Sequence, residues 1–414
     1  MPSAATADAL VLGAGIVGIS VAVHLQKRGR ATVLVDRRGA AEETSYGNAG
    51  LVQREGVYPY GFPHDFGALF RYGLNRTIDA YYHPSAIPRL APFLWKYWHH
   101  SRPRRHAAIA RTYAQLIEHC LEEHQALMRE AGSQALARPS GWMKVFRTER
   151  ERDKRFAEAE RWQREFGLSY KTYDAPSLQR LEPHLAPVLC GALHWIDPLA
   201  VIDPQGLALS YLGLFEKLGG RFIQANAASL EPGWKLKTVD GEITARDAVV
   251  ALGPWADVVT RRLGYDLPLA VKRGYHMHYR AAGHAVLNHP VLDHERGYFL
   301  APMKRGIRLT TGAEFALRDA IRTPVQLGRA EPIARELFPL AERLDTEPWM
   351  GSRPCTPDMM PVIGPAPQHR NLWFAFGHAH HGLTLGPVTG RLIAELVCGE
   401  PPFVDPAPYR ADRF

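Results

Sequence analysis

Cysteine is scarce in this 414-residue chain: Cys120, Cys190, Cys355 and Cys398 lie far apart, with no CxxC pair. That spacing excludes a disulfide framework and a structural zinc site, and fits a reducing compartment. No apolar run approaches the roughly 18 residues that a membrane-spanning helix needs. Residues 1–8 carry no basic stretch followed by an apolar one, so a signal peptide is not expected, and the expected location is cytoplasmic. Internal repeats and low-complexity tracts are missing, and no Ser/His/Asp arrangement is legible. His378, His380 and His381 sit in a glycine-rich turn without an acidic companion. That is a poor ligand set, and no metal is expected.

Charge of one sign is only mildly in excess, at +8 from 50 basic and 42 acidic residues. Nucleic-acid binding would call for a basic stripe with interleaved aromatics or a recognisable module, and no nucleic-acid partner is expected. The nearest approach is residues 89–106, where Phe93, Trp95, Tyr97 and Trp98 precede Arg102, Arg104 and Arg105. Such a segment reads either as a helix packed on the body of the protein with a solvated basic end, or as a peripheral contact with the inner face of an anionic membrane. Pro92 and Pro103 interrupt a clean amphipathic pattern.

Apolar content of 46% and charged content of 22% are those of an ordinary globular protein, and the length allows two domains. The richest stretch is near the start. The apolar run 9–12 reads as a buried strand, and Gly13, Gly15 and Gly18 follow it in the G-x-G-x-x-G spacing. The first glycine permits a tight turn, the second close approach of a pyrophosphate, and the third close packing of the next helix on the strand. Residues 16–28 read as that helix, with Gly29 ending it, and its N-terminus offers unpaired N–H groups and a positive dipole end to phosphates. A second strand, 31–35, delivers Asp36 about 20 residues on, where an acid accepts from ribose hydroxyls. The unit is a dinucleotide site.

Farther along, residues 44–52 are small and suit close passage of backbone against a flat ligand. Residues 63–183 read as largely helical, with one helix over 111–131, a charged one over 149–166, and a strand at 141–146 between them. A helix over 204–218 leads to a strand at 221–225. Strands at 234–239 and 242–245 form a hairpin about Asp240-Gly241, and 248–252 is a further buried strand. Alternating runs at 273–280, 297–302 and 306–311 predict an antiparallel sheet, followed by a helix over 325–337. The tail reads as a strand at 372–376 and a helix over 387–397. The fold class is α/β: a Rossmann-like domain from 1–62, 195–265 and 350–414 interleaved with an α+β substrate domain from 63–194 and 266–349, which carries a helical insertion. Chemistry is expected between the two.

The chain resembles the flavin-dependent D-amino-acid oxidase superfamily, and within it the bacterial D-amino-acid dehydrogenases. The likeness spans nearly the whole length. It rests on Val11-Leu12-Gly13-Ala14-Gly15-Ile16-Val17-Gly18, on Thr44-Ser45-Tyr46-Gly47-Asn48-Ala49-Gly50 and on Ala251-Leu252-Gly253-Pro254-Trp255-Ala256. It continues through Trp349-Met350-Gly351-Ser352-Arg353-Pro354-Cys355-Thr356-Pro357-Asp358, Pro361-Val362-Ile363-Gly364 and Gly377-His378-Ala379-His380-His381-Gly382-Leu383-Thr384. What the resemblance implies is FAD, held non-covalently, and oxidation of a Cα–N bond to an imine that water hydrolyses.

On that resemblance Gly13, Gly15, Ile16, Val17 and Gly18 face the pyrophosphate, with Asp36 and Arg37 at the adenosine ribose. Ser45, Asn48, Ala49, Gly50 and Leu51 line the isoalloxazine, while Ala227, Ala251, Gly253 and Trp255 close over the adenine end. Gly382, Leu383 and Thr384 aim a helix N-terminus at the ring, where it stabilises the anionic reduced form. Arg353 grips the substrate carboxylate bidentately and adjoins the flavin. Tyr298, or Phe299 beside it, adds a second contact to that carboxylate, and His381 forms a wall of the substrate pocket. Arg273 meets either the ring or the interdomain surface. Cys355 is set apart from a cysteinyl flavin link by its position next to Thr356-Pro357-Asp358. The implied reaction passes hydride from Cα to the flavin, and then electrons to a quinone or an electron-transfer protein. The alternatives are an oxygen-using amine oxidase of the glycine/sarcosine type and a flavin-binding subunit of a heteromeric complex.

Overall fold

A computed structural model describes residues 5–239 and 241–414. The first strand, Ala5–Leu12, is central in a seven-stranded sheet, with Thr32–Asp36 and Arg221–Gln224 on one side. On its other side lie Gly241–Val250, Leu372–Phe376 and Val362–Pro365. All but the last of these run parallel, and Lys235–Thr238 pairs with Gly241–Val250 off the main path. Both faces are covered, which is why these strands read as continuous apolar runs. Val11, Leu34 and Val249 point to the face covered by the helices Ile16–Lys27, Pro204–Lys217 and Gly382–Cys398. Leu10, Leu12, Val33 and Val250 point the other way, onto Trp234, Leu236, Val259 and Tyr265. The helix Gly382–Cys398 lies directly on Ile16–Lys27, because a Cβ at Gly390 would stand 2.6 Å from the Ser20 carbonyl oxygen.

The second body is an eleven-stranded, largely antiparallel sheet. Its axis is the long strand Ala270–Ala281, flanked by Gly306–Thr310 on one edge and by Trp349–Cys355 on the other. The segment 350–355, grouped on sequence with the dinucleotide side, therefore belongs by pairing to this sheet. A three-stranded sheet of Leu51–Val52, Leu199–Ala200-Val201 and Ala137–Arg138 joins the two bodies.

Four expectations are corrected. The single helix over 111–131 is two, Pro103–Ile117 and Cys120–Ala131. Leu116, Ile117, Cys120 and Leu127 keep facing one core across the break, so periodicity does not reveal it. Both helices pack with the dinucleotide-side helices, although their positions fall in the span assigned to the substrate domain. The strands at 242–245 and 248–252 are one, Gly241–Val250. The last helix starts at Gly382, five residues before Pro387, which its first turns accommodate. Asp240 of the expected hairpin turn lies outside the described residues. The helices Glu149–Phe166 and Val325–Leu337 and the strand Leu372–Phe376 match their predicted bounds.

The aromatic-basic segment forms the helix Ile87–His100, with Leu90, Phe93 and Tyr97 turned inward. Trp95 is exposed and stacks on Trp98, over which the Arg102 guanidinium lies at 4.8 Å. Nearby, the helix Phe66–Gly73 buries none of its residues, and Phe66 and Phe70 stand 89% and 72% exposed. Among the described residues no helix is long and apolar enough to cross a membrane.

Candidate active site

The glycine turn is built by close packing. Gly13 takes φ +108°, and a Cβ there would sit 2.5 Å from the Ala251 carbonyl oxygen. A Cβ on Gly18 would lie 1.8 Å from the Gly13 carbonyl oxygen, so helix and turn touch backbone to backbone. Gly18 thus sets the turn from behind instead of facing the cavity. Two side chains pin the loop: Asp36 accepts from the Ala14 N–H at 2.8 Å, and Ser45 Oγ from the Ile16 N–H at 3.0 Å. Burial raises the Asp36 carboxyl above its ordinary range, against the backbone N–H groups of Ala14, Arg38 and Arg37. The Gly15 and Val17 N–H groups have no acceptor among the described residues. They stand at a helix N-terminus, the ordinary place for an anion.

From this turn one cavity of about 760 Å³ runs through the molecule, at the large end of ligand-pocket sizes. Gly13, Gly15, Ile16, Val17, Asp36 and Arg37 line its first part, together with Ala227, Ala251, Gly253 and Trp255. Arg37 lies flat over the Trp255 ring at 4.5 Å and pairs with Glu43. Ser45, Asn48, Ala49 and Leu51 line the middle, opposite Gly382 and Leu383 at the start of the last helix. Gly50 and Thr384 stand behind this wall. Thr384 Oγ1 accepts from the Gln53 N–H at 3.1 Å and donates to the Leu51 carbonyl at 3.3 Å, tying the helix start to the strand.

The far end holds charge. Lys272 and Arg353 are register partners across the strands Ala270–Ala281 and Trp349–Cys355, so both side chains stand on one sheet face. Gly274 makes room for the guanidinium, since a Cβ there would lie 2.5 Å from Arg353 Nη1 and Nη2. Arg353 donates from Nη1 to the Arg273 and Gly312 carbonyls, each at 3.3 Å, and has no ion-pair partner among the described residues. Its Nε and Nη2 hydrogens keep no protein acceptor there. Burial lowers the Arg353 pKa from its ordinary value. Lys272 Nζ donates to Tyr97 Oη at 2.8 Å, and burial pushes it down to about 8. Tyr60 and His380 face each other across the same end, ring centroids 4.4 Å apart. Burial first, then Arg353 and Lys272, hold His380 well below the ordinary histidine range, as a neutral imidazole.

Tyr298 and His381, expected to act at this end, do other things, and so does Arg273, expected at the ring or the interdomain surface. The Tyr298 ring borders the cavity, but its hydroxyl turns into the core, toward Asp293 Oδ2 at 3.2 Å and the Ile333 carbonyl at 3.4 Å. Alternation along Tyr298–Met303 instead presents Phe299, which contacts the cavity-lining Trp142. His381 is buried behind the wall, its Nδ1 bonded to the Tyr113 hydroxyl at 2.9 Å, while its neighbour His380 lines the cavity. Arg273 is fully buried and paired with Glu314 at 2.5 Å, a core contact. The three tail histidines diverge, His378 reaching the Thr389 hydroxyl at 2.9 Å. Cys355 is buried beside Arg353 and does not line the cavity. Sequence reasoning missed Lys272, Gly274, Tyr60 and Tyr97. A lysine two residues before a glycine, in a strand of otherwise inward-facing residues, was the one available sign.

The sequence profile of the family DAO, FAD dependent oxidoreductase, matches residues 8–396. A D-amino acid dehydrogenase from Paramagnetospirillum magneticum is 30% identical, the match covering 98% of both chains. A D-amino-acid oxidase from Bradyrhizobium diazoefficiens is 28% identical over 98% of each. The fold is similar to that of glycine oxidase from Geobacillus kaustophilus, with a TM-score of 0.74, 22% identity and 99% of both chains covered.

Proposed function

Given that the chain belongs to the DAO family of FAD dependent oxidoreductases and takes FAD as its cofactor, we propose that it oxidises the Cα–N bond of a D-amino acid, or of a cyclic imino acid such as a D-hydroxyproline. The imine formed is hydrolysed by water. The observation that carries this reading is Arg353: a guanidinium lining the cavity, with no carboxylate among the described residues to neutralise it. A planar, permanently charged fork of N–H donors is the side chain best suited to a substrate carboxylate.

The residues fit FAD held without a covalent link. The free Gly15 and Val17 N–H groups suit the pyrophosphate, Asp36 and Arg37 the ribose, and Trp255 with Ala251 the adenine end. Gly382 and Leu383 place a helix N-terminus beside the ring position, where a positive dipole end favours negative charge. Bound FAD supplies a two-electron acceptor for the hydride that leaves Cα. The protein's own work is positioning. Arg353 fixes the carboxylate and hence the direction of the Cα–H bond. The neutral His380 imidazole accepts from the substrate amine, and the apolar walls of Phe299 and Trp142 keep water from the reacting face.

The electron acceptor in this reading is a quinone at a membrane surface. What supports it is the exposed helix Phe66–Gly73 with Trp95, next to Arg102, on the side where Leu69, Tyr72 and Leu94 line the cavity. An oxygen-using oxidase is the competing reading, favoured by the likeness to the Bradyrhizobium oxidase. Anaerobic mixing of the yellow protein with a panel of D-amino acids tests the reaction, with bleaching of the flavin expected. Reoxidation of the bleached protein by a quinone analogue, slow in air, is expected; rapid peroxide formation in air would establish the oxidase instead.

A further inference from the structure

We propose that the cavity is built for a substrate with two carboxylates, the second bound by Lys272; this rests on the amino-acid reading above. Lys272 and Arg353 stand opposite each other in register, on one face of the sheet, and both line the cavity. Like charges directly opposite across strands repel, and burial adds a desolvation cost to each. A protein ordinarily meets this with an acid between them. Here neither cation has an ion-pair partner among the described residues, and no carboxylate is among the groups that shift either pKa. Of the acids lining the same cavity, Asp36 is bonded to the Ala14 N–H, Glu43 is paired with Arg37 and Arg38, Asp79 accepts from the Tyr72 hydroxyl, and Glu42 lies against Gly39; none is paired with Lys272 or Arg353.

The surroundings of Lys272 orient it without neutralising it. Its ammonium lies 4.0 Å from the centre of the Tyr97 ring and 5.6 Å from that of Phe315, and it donates to Tyr97 Oη, with Met359 Sδ at 3.8 Å. Tyr97 spends its own hydroxyl proton on the Tyr60 carbonyl at 2.7 Å, so the phenol accepts from lysine and adds no negative charge. An ammonium has three hydrogens, and the third finds no acceptor among the described residues. The neighbouring His380 is neutral and supplies no anion. A lysine held on ring faces and a phenol, with one hydrogen left over beside an unpaired guanidinium, is completed by a second carboxylate. One amino acid with an acidic side chain, or an imino diacid, offers both.

The test compares each acid with its isosteric amide: D-glutamate against D-glutamine and D-aspartate against D-asparagine, by anaerobic flavin bleaching of the holoenzyme. At least a tenfold higher kcat/KM for an acid over its amide is expected. Lys272→Met should raise KM for the acid ten- to a hundredfold and change that for the amide less than threefold, and Lys272→Arg should recover part of the preference. A readout free of turnover, and of any variant, is the shift of the flavin absorbance on titration with glutarate against valerate. Tighter binding of the dicarboxylate supports the proposal. Equal kcat/KM for acids and amides, or a Lys272→Met loss that falls equally on both, would overturn it while leaving the amino-acid reading in place. If no amino acid bleaches the flavin but glutarate still binds more tightly, the reading of the reaction fails and the dicarboxylate site stands. If glutarate shows no advantage either, both fall.

Discussion

The two ends of the cavity are made in opposite ways. The glycine end is backbone packed on backbone, with Asp36 and Ser45 spent on loop N–H groups, Arg37 paired with Glu43, and the backbone N–H groups of Gly15 and Val17 left over. The far end is made of long side chains from two adjacent strands, and its two cations keep hydrogens with no partner among the described residues. A region whose side chains satisfy one another and whose unpaired groups are only backbone N–H donors holds its shape without a ligand. A region left with uncompensated buried charge is costly in isolation and is retained for what it binds. The difference marks the first end as a rigid cradle and the second as the selective one.

The strongest way to break the comparison is at the cradle. Gly18→Val places a branched side chain where even a Cβ meets the Gly13 carbonyl oxygen, and the helix has to move away from the strand. The expected result is protein purified without yellow colour and destabilised by about 3 kcal/mol or more, read by flavin absorbance and by denaturant unfolding. At the selective end the outcome should invert. Arg353→Ala should keep the colour and the unfolding midpoint yet lower kcat/KM about a hundredfold or more, chiefly through KM, since two charge-assisted hydrogen bonds at roughly 1.5–3 kcal/mol each are lost. A colourless Arg353→Ala protein, or an unchanged KM, would mean that the guanidinium serves the cradle instead.

The same contrast explains what could be read from the chain. The glycine turn, its helix and Asp36 lie within 30 residues, so the spacing is legible as one local motif, although the carbonyl that crowds Gly13 belongs to the distant Ala251. Lys272 and Arg353 are 81 residues apart, and nothing local to either shows that the register of two strands sets them side by side. The motif around Arg353 gave the arginine but not its companion. The break at 118–119 was hidden because the apolar stripe runs through it. His381 and Tyr298 were misplaced for a common reason. Each stands next to the residue that does face the cavity, His380 or Phe299, and one position along a strand or tight turn reverses a side chain's direction.

A smaller effect is expected from Asp36→Asn. The amide keeps an oxygen for the Ala14 N–H but loses the charge that a ribose hydroxyl would bond to. FAD affinity should fall about tenfold, with KM for the amino acid unchanged, as measured by flavin release on dilution. A shift in KM without any loss of affinity would show that the two ends are coupled.

The smallest effect is expected from Tyr298→Phe, and it decides between the two faces of one strand. The lost hydroxyl leaves Asp293 still paired with Arg147 at 2.9 Å and bonded to the Arg296 N–H at 3.2 Å, so no buried charge is stranded. Stability should fall by about 1 kcal/mol, the ordinary net worth of one buried hydrogen bond, and kinetics should stay within twofold. Phe299→Ala, one residue on, removes a ring from the cavity wall and should raise KM severalfold at similar stability. If the two variants exchange these behaviours, the Tyr298 hydroxyl turns toward the substrate in the working enzyme, and the selective end then includes a neutral donor beside its two cations.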